Sequence, residues 1–158
     1  MGQEIERKFL VAHGGWRALA TGSARLEQFY LFSREGASVR VRISDGARAR
    51  LTIKTGRDGL SRGEFEYDIP LQDAVELRES RVGKLVAKTR HIVPLAGGWQ
   101  VEVDVFAGAL DGLVMAEIEL KTADDAPPLP DFLGREVTGD ARYFNSQLAL
   151  EGMPQAPD

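Results

Sequence analysis

Along most of the chain, apolar and charged residues alternate with a period of two. In Glu4–Val11, Ile5 and Phe9 fall on one face, with Glu4, Glu6 and Lys8 on the other. In Ala37–Ser44, Val39, Val41 and Ile43 oppose Arg40 and Arg42. Asp45-Gly46 then supplies a hairpin turn signal into Arg48–Thr55, where Leu51 and Ile53 oppose Arg50, Thr52 and Lys54. Glu64–Ile69 alternates again until Pro70. Period two places successive side chains on opposite faces of a strand. Arg25–Ser33, Leu85–Val93, Trp99–Phe106 and Leu113–Lys121 bring the number of predicted strands to eight. Regular turn signals between short strands favour a closed or nearly closed antiparallel sheet.

Helical spacing is confined to three places. Trp16–Ala20 predicts a short helix, Leu71–Ser80 carries a weak apolar face, and Ala141–Glu151 predicts a C-terminal helix burying Tyr143, Phe144, Leu148 and Leu150. Gly56–Gly63 reads as a glycine-rich connection, and Ala123–Leu133, with Pro127, Pro128 and Pro130, as a loop. The expectation is one β-dominated domain over residues 1–151, with 152–158 as a flexible tail.

Composition narrows the chemistry. A chain of 158 residues has room for one core, and there are no cysteines, which removes disulfides, thiolate metal sites and cysteine nucleophiles. The net charge is −4, so bulk attraction to nucleic acid or an anionic membrane is not expected. Apolar runs are too short for a membrane span. The N-terminus is acidic where a signal peptide is basic and then apolar, so a cytoplasmic location is expected.

Charged doublets sit inside the strands. Glu4/Glu6, Glu64/Glu66, Glu102/Asp104 and Glu117/Glu119 are acidic; Arg40/Arg42, Arg48/Arg50 and Lys88/Arg90 are basic. Their number is close to what composition gives by chance. Their placement is the evidence, because each doublet shares one strand face opposite an apolar one. One reading is a sheet with a solvated face. The other is a barrel turned inside out, its apolar face covered by helices and its charges lining a lumen. Short polar residues are scarce at these positions and the signs segregate by strand, which favours the second.

A lumen of this kind would gather Glu4, Glu6, Glu64, Glu66, Glu102, Asp104, Glu117 and Glu119 with Lys8, Arg40, Arg42, Arg48, Arg50, Lys54, Lys88, Arg90 and Lys121. Such charges stay buried only if paired or occupied. Carboxylates without cysteine suit a hard cation such as Mg²⁺ or Mn²⁺. Arginine and lysine rows suit phosphate oxygens. The lumen therefore reads as a metal–polyphosphate site.

Glu4-Ile5-Glu6-Arg7-Lys8 resembles the Glu-x-Glu-x-Lys signature of the CYTH superfamily, the triphosphate tunnel metalloenzymes. It is followed in family order by Val39–Arg42, Thr52–Lys54, Glu64–Glu66, Lys88–Arg90, Val101–Asp104, Ala116–Glu119 and Glu136–Asp140. The resemblance covers nearly the whole chain, and the chain looks like the short bacterial members that resemble inorganic tripolyphosphatases. It implies an eight-stranded antiparallel barrel tunnel and Mg²⁺- or Mn²⁺-dependent cleavage of the terminal phosphoryl of tripolyphosphate or a related triphosphate. By motif position it implies that Lys8, Arg40, Arg42, Lys54, Lys88 and Arg90 grip phosphate, with Arg50 a weaker member. Glu4, Glu6, Asp104, Glu117 and Glu119 would hold metal, with Glu64, Glu66 and Glu102 around them or as alternates. Tyr30 would pair with Lys54 and take part in proton transfer, with Lys8 also in the catalytic group. Class IV adenylate cyclases and thiamine triphosphatases share this fold, and a non-catalytic polyphosphate-binding module is the alternative outside enzymes. The expected partner is a small-molecule triphosphate or polyphosphate, with no nucleic acid and no membrane, and a homodimer left open.

Parity places Arg7 on the outer face. His13 and His91 are read as structural or exposed, and Trp16, Trp99, Tyr143 and Phe144 as packing residues. No Gly-x-Ser-x-Gly or P-loop motif is present.

Overall fold

The structure, a computed structural model, describes residues 2–56 and 61–155. Its strands are β1 (Gly2–Val11), β2 (Gly22–Arg34), β3 (Ala37–Ser44), β4 (Arg48–Thr55), β5 (Ser61–Ile69), β6 (Val82–Pro94), β7 (Gln100–Ala107), β8 (Val114–Glu119) and β9 (Leu133–Glu136). They form one antiparallel sheet in the order β5-β4-β3-β2-β6-β7-β8-β1-β9. β5 also pairs with β1, from Gly2 opposite Glu64 to Ile5 opposite Ser61, and this closes the first eight strands into a barrel. All eight predicted strands are present, several longer than expected. Within the Gly56–Gly63 connection, residues 57–60 lie outside the described residues, as do 156–158 of the expected tail. The preceding Gln155 carbonyl accepts a hydrogen bond from Arg142 (3.1 Å).

β9 is the strand the sequence did not announce. It has four residues, no alternation, and a proline-rich approach. It forms because β5 leaves the edge of β1 unpaired beyond Ile5. There Phe9 sits opposite Glu136 and Val11 opposite Leu133, which satisfies backbone groups of an otherwise open edge.

The β3–β4 turn follows its sequence. Asp45 (φ 53°) and Gly46 (φ 64°) both occupy the left-handed region, the Ala47 N–H donates to the Ser44 carbonyl (3.0 Å), and pairing resumes with Ser44 opposite Arg48. Helix content is lower than the periodicity suggested. Gly14–Leu19 is a 3₁₀ turn capped by His13, whose ring accepts from the Gly15 amide. The 71–80 stretch divides into α1 (Leu71–Leu77) and a 3₁₀ turn. The predicted C-terminal helix breaks at Phe144, whose extended backbone separates a 3₁₀ turn (Ala141–Tyr143) from α2 (Asn145–Glu151). No helix of the described residues is long and apolar enough to cross a membrane.

The barrel is inside out. The outer faces of β1, β6, β7 and β8 bury Ile5, Phe9, Val93, Val103 and Ile118 beneath Trp16 and Phe132. The outer faces of β2, β3 and β4 bury Phe29, Val41 and Ile43 beneath Ala74 of α1. These layers carry the hydrophobic stabilisation that a globular protein normally finds at its centre. Arg7, on the outside, makes a bidentate pair with Glu136 (2.7 and 2.9 Å), and His91 packs against Trp16.

Candidate active site

Cross-strand register gathers the charges. Ser38, Lys54 and Glu64 form one row across β3, β4 and β5; Arg40, Thr52 and Glu66 form the next; Arg42, Arg50 and Asp68 the third. On the opposite wall Lys8 faces Glu117, which faces Glu102, and Glu6 faces Glu119. The basic arc is thus β3–β4 and the acidic arc β1–β8–β7. They enclose a cavity of about 290 Å³ whose lining is charged throughout except for Asn145.

Most of the lumen cations are paired. Lys54 Nζ donates to Glu4 Oε1 (2.9 Å) and lies 3.8 Å from Glu64. Lys8 lies 3.7 Å from Glu117 and donates to the Tyr143 carbonyl (3.2 Å). Arg90 forks onto both oxygens of Asp104 (2.8 and 2.9 Å) and reaches Glu102 (2.7 Å) and Glu117 (3.4 Å). Lys88 pairs with Asp104 at 2.7 Å, both side chains almost fully buried. Arg40 and Arg42 instead bond the neutral acceptors Thr52 (3.3 Å) and Gln28 (3.0 and 2.8 Å).

The carboxyl groups divide into two contact pairs. Burial would raise Glu4, but its hydrogen bond with Glu64 and the charge of Lys54 bring it down to about 2. Glu64 is pushed up to about 8, first by burial and then by Glu4. Glu6 is likewise raised to about 8, by burial and then by the charge of Glu117. Glu117 resists its own burial. Lys8, Arg90 and Lys88 and a hydrogen bond from Glu6 hold it well below the usual carboxylate range. Each pair therefore keeps one proton between two carboxyls. On the basic side, burial first, then the like charges of Arg40 and Arg90, push Arg42 down to about 9. Burial also opposes the charge of Lys8, yet Glu117, Glu6 and Tyr30 keep it above the ordinary lysine range.

Among the described residues no three carboxylates stand arranged to hold a cation. The donor set nevertheless fits a hard divalent ion. It is all oxygen, and the proton held in the Glu4·Glu64 and Glu6·Glu117 pairs occupies the kind of position a cation between two carboxylates would take.

Several expected roles are redistributed. Asp104 has both oxygens taken by Arg90 and Lys88, so in this structure it orients a cation rather than facing the cavity. Lys88, bound to it, does not line the cavity either. Tyr30 and Lys54, expected to pair, line one small cavity together with Lys8 and Glu6; Lys54 donates to Glu4 (2.9 Å), and Tyr30 acts electrostatically on Lys8. Arg50 lies at the exposed rim, paired with Glu66 (3.4 Å) and Asp68 (3.3 Å). Arg48 is exposed at the start of β4, and Lys121, past the end of β8, is exposed outside the barrel.

One end of the lumen is apolar. Leu10 and Phe106 come two residues after Lys8 and Asp104, Val86 and Met115 two residues before Lys88 and Glu117, and these four pack with Tyr30, Tyr143 and, from α2, Leu148. α2 approaches so closely that a Cβ on Gly83 would lie 2.7 Å from the Ala149 carbonyl oxygen. Its first residue, Asn145, reaches the lumen and accepts from Lys88 and Gln28 (3.4 Å each). Thr52 lies on the expected face, with Arg50 and Lys54, but its role as an acceptor for Arg40 carried no signal. Sequence reasoning missed Gln28 and Asn145; Gln28, directly opposite Arg42 on β3, could have been found by parity. Asn145 had no such signal, since it arrives from a distant helix.

The fold and site define a closed antiparallel barrel whose interior sets arginines against glutamates. The chain belongs to the CYTH family: the CYTH domain model matches residues 2–148. It is 43% identical to an inorganic triphosphatase of Acetivibrio thermocellus, over 94% of both chains. It is 39% identical to an inorganic triphosphatase of Nitrosomonas europaea, over 93% of this chain and 97% of that one. A solved inorganic triphosphatase superposes with a TM-score of 0.67 at 34% identity, covering 96% of this chain and 97% of that one. A putative adenylyl cyclase from Hippeastrum, 14% identical with a TM-score of 0.62 over 75% of this chain and 80% of that one, shares the fold alone.

Proposed function

We propose that this chain is a divalent-metal-dependent phosphohydrolase that removes the terminal phosphoryl of inorganic tripolyphosphate or a related triphosphate. The observation that carries the reading is the lumen itself. Two arginines without carboxylate partners, Arg40 and Arg42, face an arc of carboxyls that share protons. A polyphosphate answers the first and a cation the second. Near-full-length similarity to two inorganic triphosphatases supports the same reaction.

Glu4, Glu6, Glu117 and Glu119 would hold Mg²⁺ or Mn²⁺, with Glu64 and Glu102 beside them. Such an ion, when bound, neutralises phosphate oxygens and acidifies a coordinated water. Arg40, Arg42 and Arg90 hold non-bridging oxygens and stabilise the charge that spreads onto them during transfer. Lys54, released from Glu4, becomes a further phosphate contact. Asp104 and Lys88 orient Arg90. Tyr30, beside Lys8, is placed to pass a proton near the leaving phosphate. The charged cavity beside Arg40 and Arg42 has no apolar or aromatic lining side chain, and Tyr30 and Phe144 stand in a small neighbouring space beside Lys8 and Lys54; this charged lining favours the inorganic substrate.

The test is phosphate release from tripolyphosphate, thiamine triphosphate and ATP, each with Mg²⁺, Mn²⁺ or chelator. Metal-dependent release, fastest from tripolyphosphate, is expected. Binding of tripolyphosphate without release would reduce the protein to a binding module.

A further inference from the structure

Lys8, Lys54, Lys88 and Arg90, buried or half-buried in the lumen, each make an ion pair, whereas Arg40 and Arg42 make none among the described residues. The partner of Arg42 is Gln28, a fully buried neutral side chain in a lumen otherwise dominated by charge. Its Oε1 accepts from Arg42 Nε (3.0 Å) and Nη2 (2.8 Å). Its Nε2 donates to Asn145 Oδ1 (3.4 Å). The amide orientation is forced, because the flipped group would turn its N–H donors against those of the guanidinium. Gln28 therefore grips the guanidinium through two donors, as a carboxylate would, without contributing a negative charge. Thr52 gives Arg40 a similar uncharged acceptor (3.3 Å) and is itself buried.

We propose that Gln28 is a positioning residue for phosphate binding: it aims the Arg42 guanidinium into the lumen while leaving its positive charge uncompensated. A glutamate would fit the same space and hold Arg42 more tightly, since a charge-assisted bond is the stronger one. It would also cancel the charge on which an anionic ligand depends. The inference rests on the reading of the lumen as a polyphosphate site.

The test is calorimetric titration of inorganic tripolyphosphate into the metal-free full chain, with a thermal melt of each variant. Gln28→Glu should weaken binding about tenfold or more, as expected when a charge-assisted contact is lost. Gln28→Met, which removes the acceptor without adding charge, should weaken it by roughly threefold or more. Neither change should add to the loss in an Arg42→Met background, because Gln28 acts through Arg42. A merely structural residue would lower the melting temperature and leave affinity unchanged. Unchanged affinity in Gln28→Glu, or a full additional loss in the Arg42→Met background, overturns the proposal. Should Gln28→Glu fail to fold, Gln28→Met decides alone. Wild-type binding without metal-dependent turnover overturns the hydrolase reading and leaves this test standing; no metal-free wild-type binding overturns this proposal, while phosphate release with Mg²⁺ or Mn²⁺ decides the hydrolase reading separately.

Discussion

Lys54 and Glu4 meet at 2.9 Å across the closure of the barrel, one from β4 and the other from β1. Each is held by a group that a bound metal–triphosphate would replace: Glu4 would turn to the cation and Lys54 to a phosphate oxygen. The pair neutralises both in the free protein, so neither charge is left buried and alone. Glu4→Gln keeps the shape and removes the charge. Activity should fall by about 10²–10³, the scale on which a single electrostatic contribution to a transition state is lost. Divalent-ion binding, read by calorimetry, should weaken as well. Unchanged ion affinity would remove Glu4 from the cation site.

Cation binding should depend on pH in a direction set by the carboxyl pairs. Glu6 and Glu64 are raised to about 8, so each holds a proton in the free protein from the ordinary carboxyl range up to about pH 8. Because these folded-state values lie above the unfolded ones, their contribution to stability is present at low pH and lost as pH rises toward 8. A cation competes with those protons. Mg²⁺ or Mn²⁺ affinity should therefore rise between pH 6 and 8, with protons released on binding. Titrations in two buffers of different ionisation enthalpy measure that release. A pH-independent affinity with no proton release would contradict the pairing.

Tyr30 is nearly buried and shares the lining of a small cavity with Lys8. Tyr30→Phe leaves the ring in its apolar cluster and deletes only the hydroxyl. The expected result is a fall in kcat of about 10²–10⁴ with KM little changed. Lys8→Met should move the alkaline limb of the pH profile, whereas Lys54→Met should act mainly on KM. A Tyr30→Phe enzyme of normal kcat at every pH would exclude the hydroxyl from the reaction.

Gly83 tests how α2 closes the barrel end. Its backbone is left-handed (φ 72°), and an added Cβ would press on the Ala149 carbonyl. Gly83→Ala should cost about 2 kcal/mol through strain and contact, or about 4–8 °C in melting temperature. An unchanged melting temperature would mean that α2 can shift away without loss.

The charged rows were legible because alternation in a strand fixes the face of each side chain, and Glu4/Glu6 or Arg40/Arg42 needed no tertiary knowledge. The same parity already contained the apolar end, since Leu10, Val86, Phe106 and Met115 each stand two residues from a lumen charge. What parity could not supply was pairing. That Lys54 donates to Glu4, or that Asp104 is occupied by Arg90 and Lys88, depends on distances across the barrel. β9 was invisible for a related reason: its existence is dictated by a vacant stretch of β1 and not by its own four residues.

An outer apolar layer has a consequence for how such a protein can change. Ile5, Val41, Val103 and Ile118 pack in the outer apolar layers, and their immediate neighbours in the chain, Glu6, Arg42, Asp104 and Glu119, belong to the charged rows of the other face. In most enzymes, new interior chemistry disturbs the packing on which the fold depends. Here the pleat of the strand separates the two, so one set of positions can drift toward a new anion while the adjacent set stays fixed. The barrel is thus a scaffold in which specificity and foldability are inherited on alternate residues.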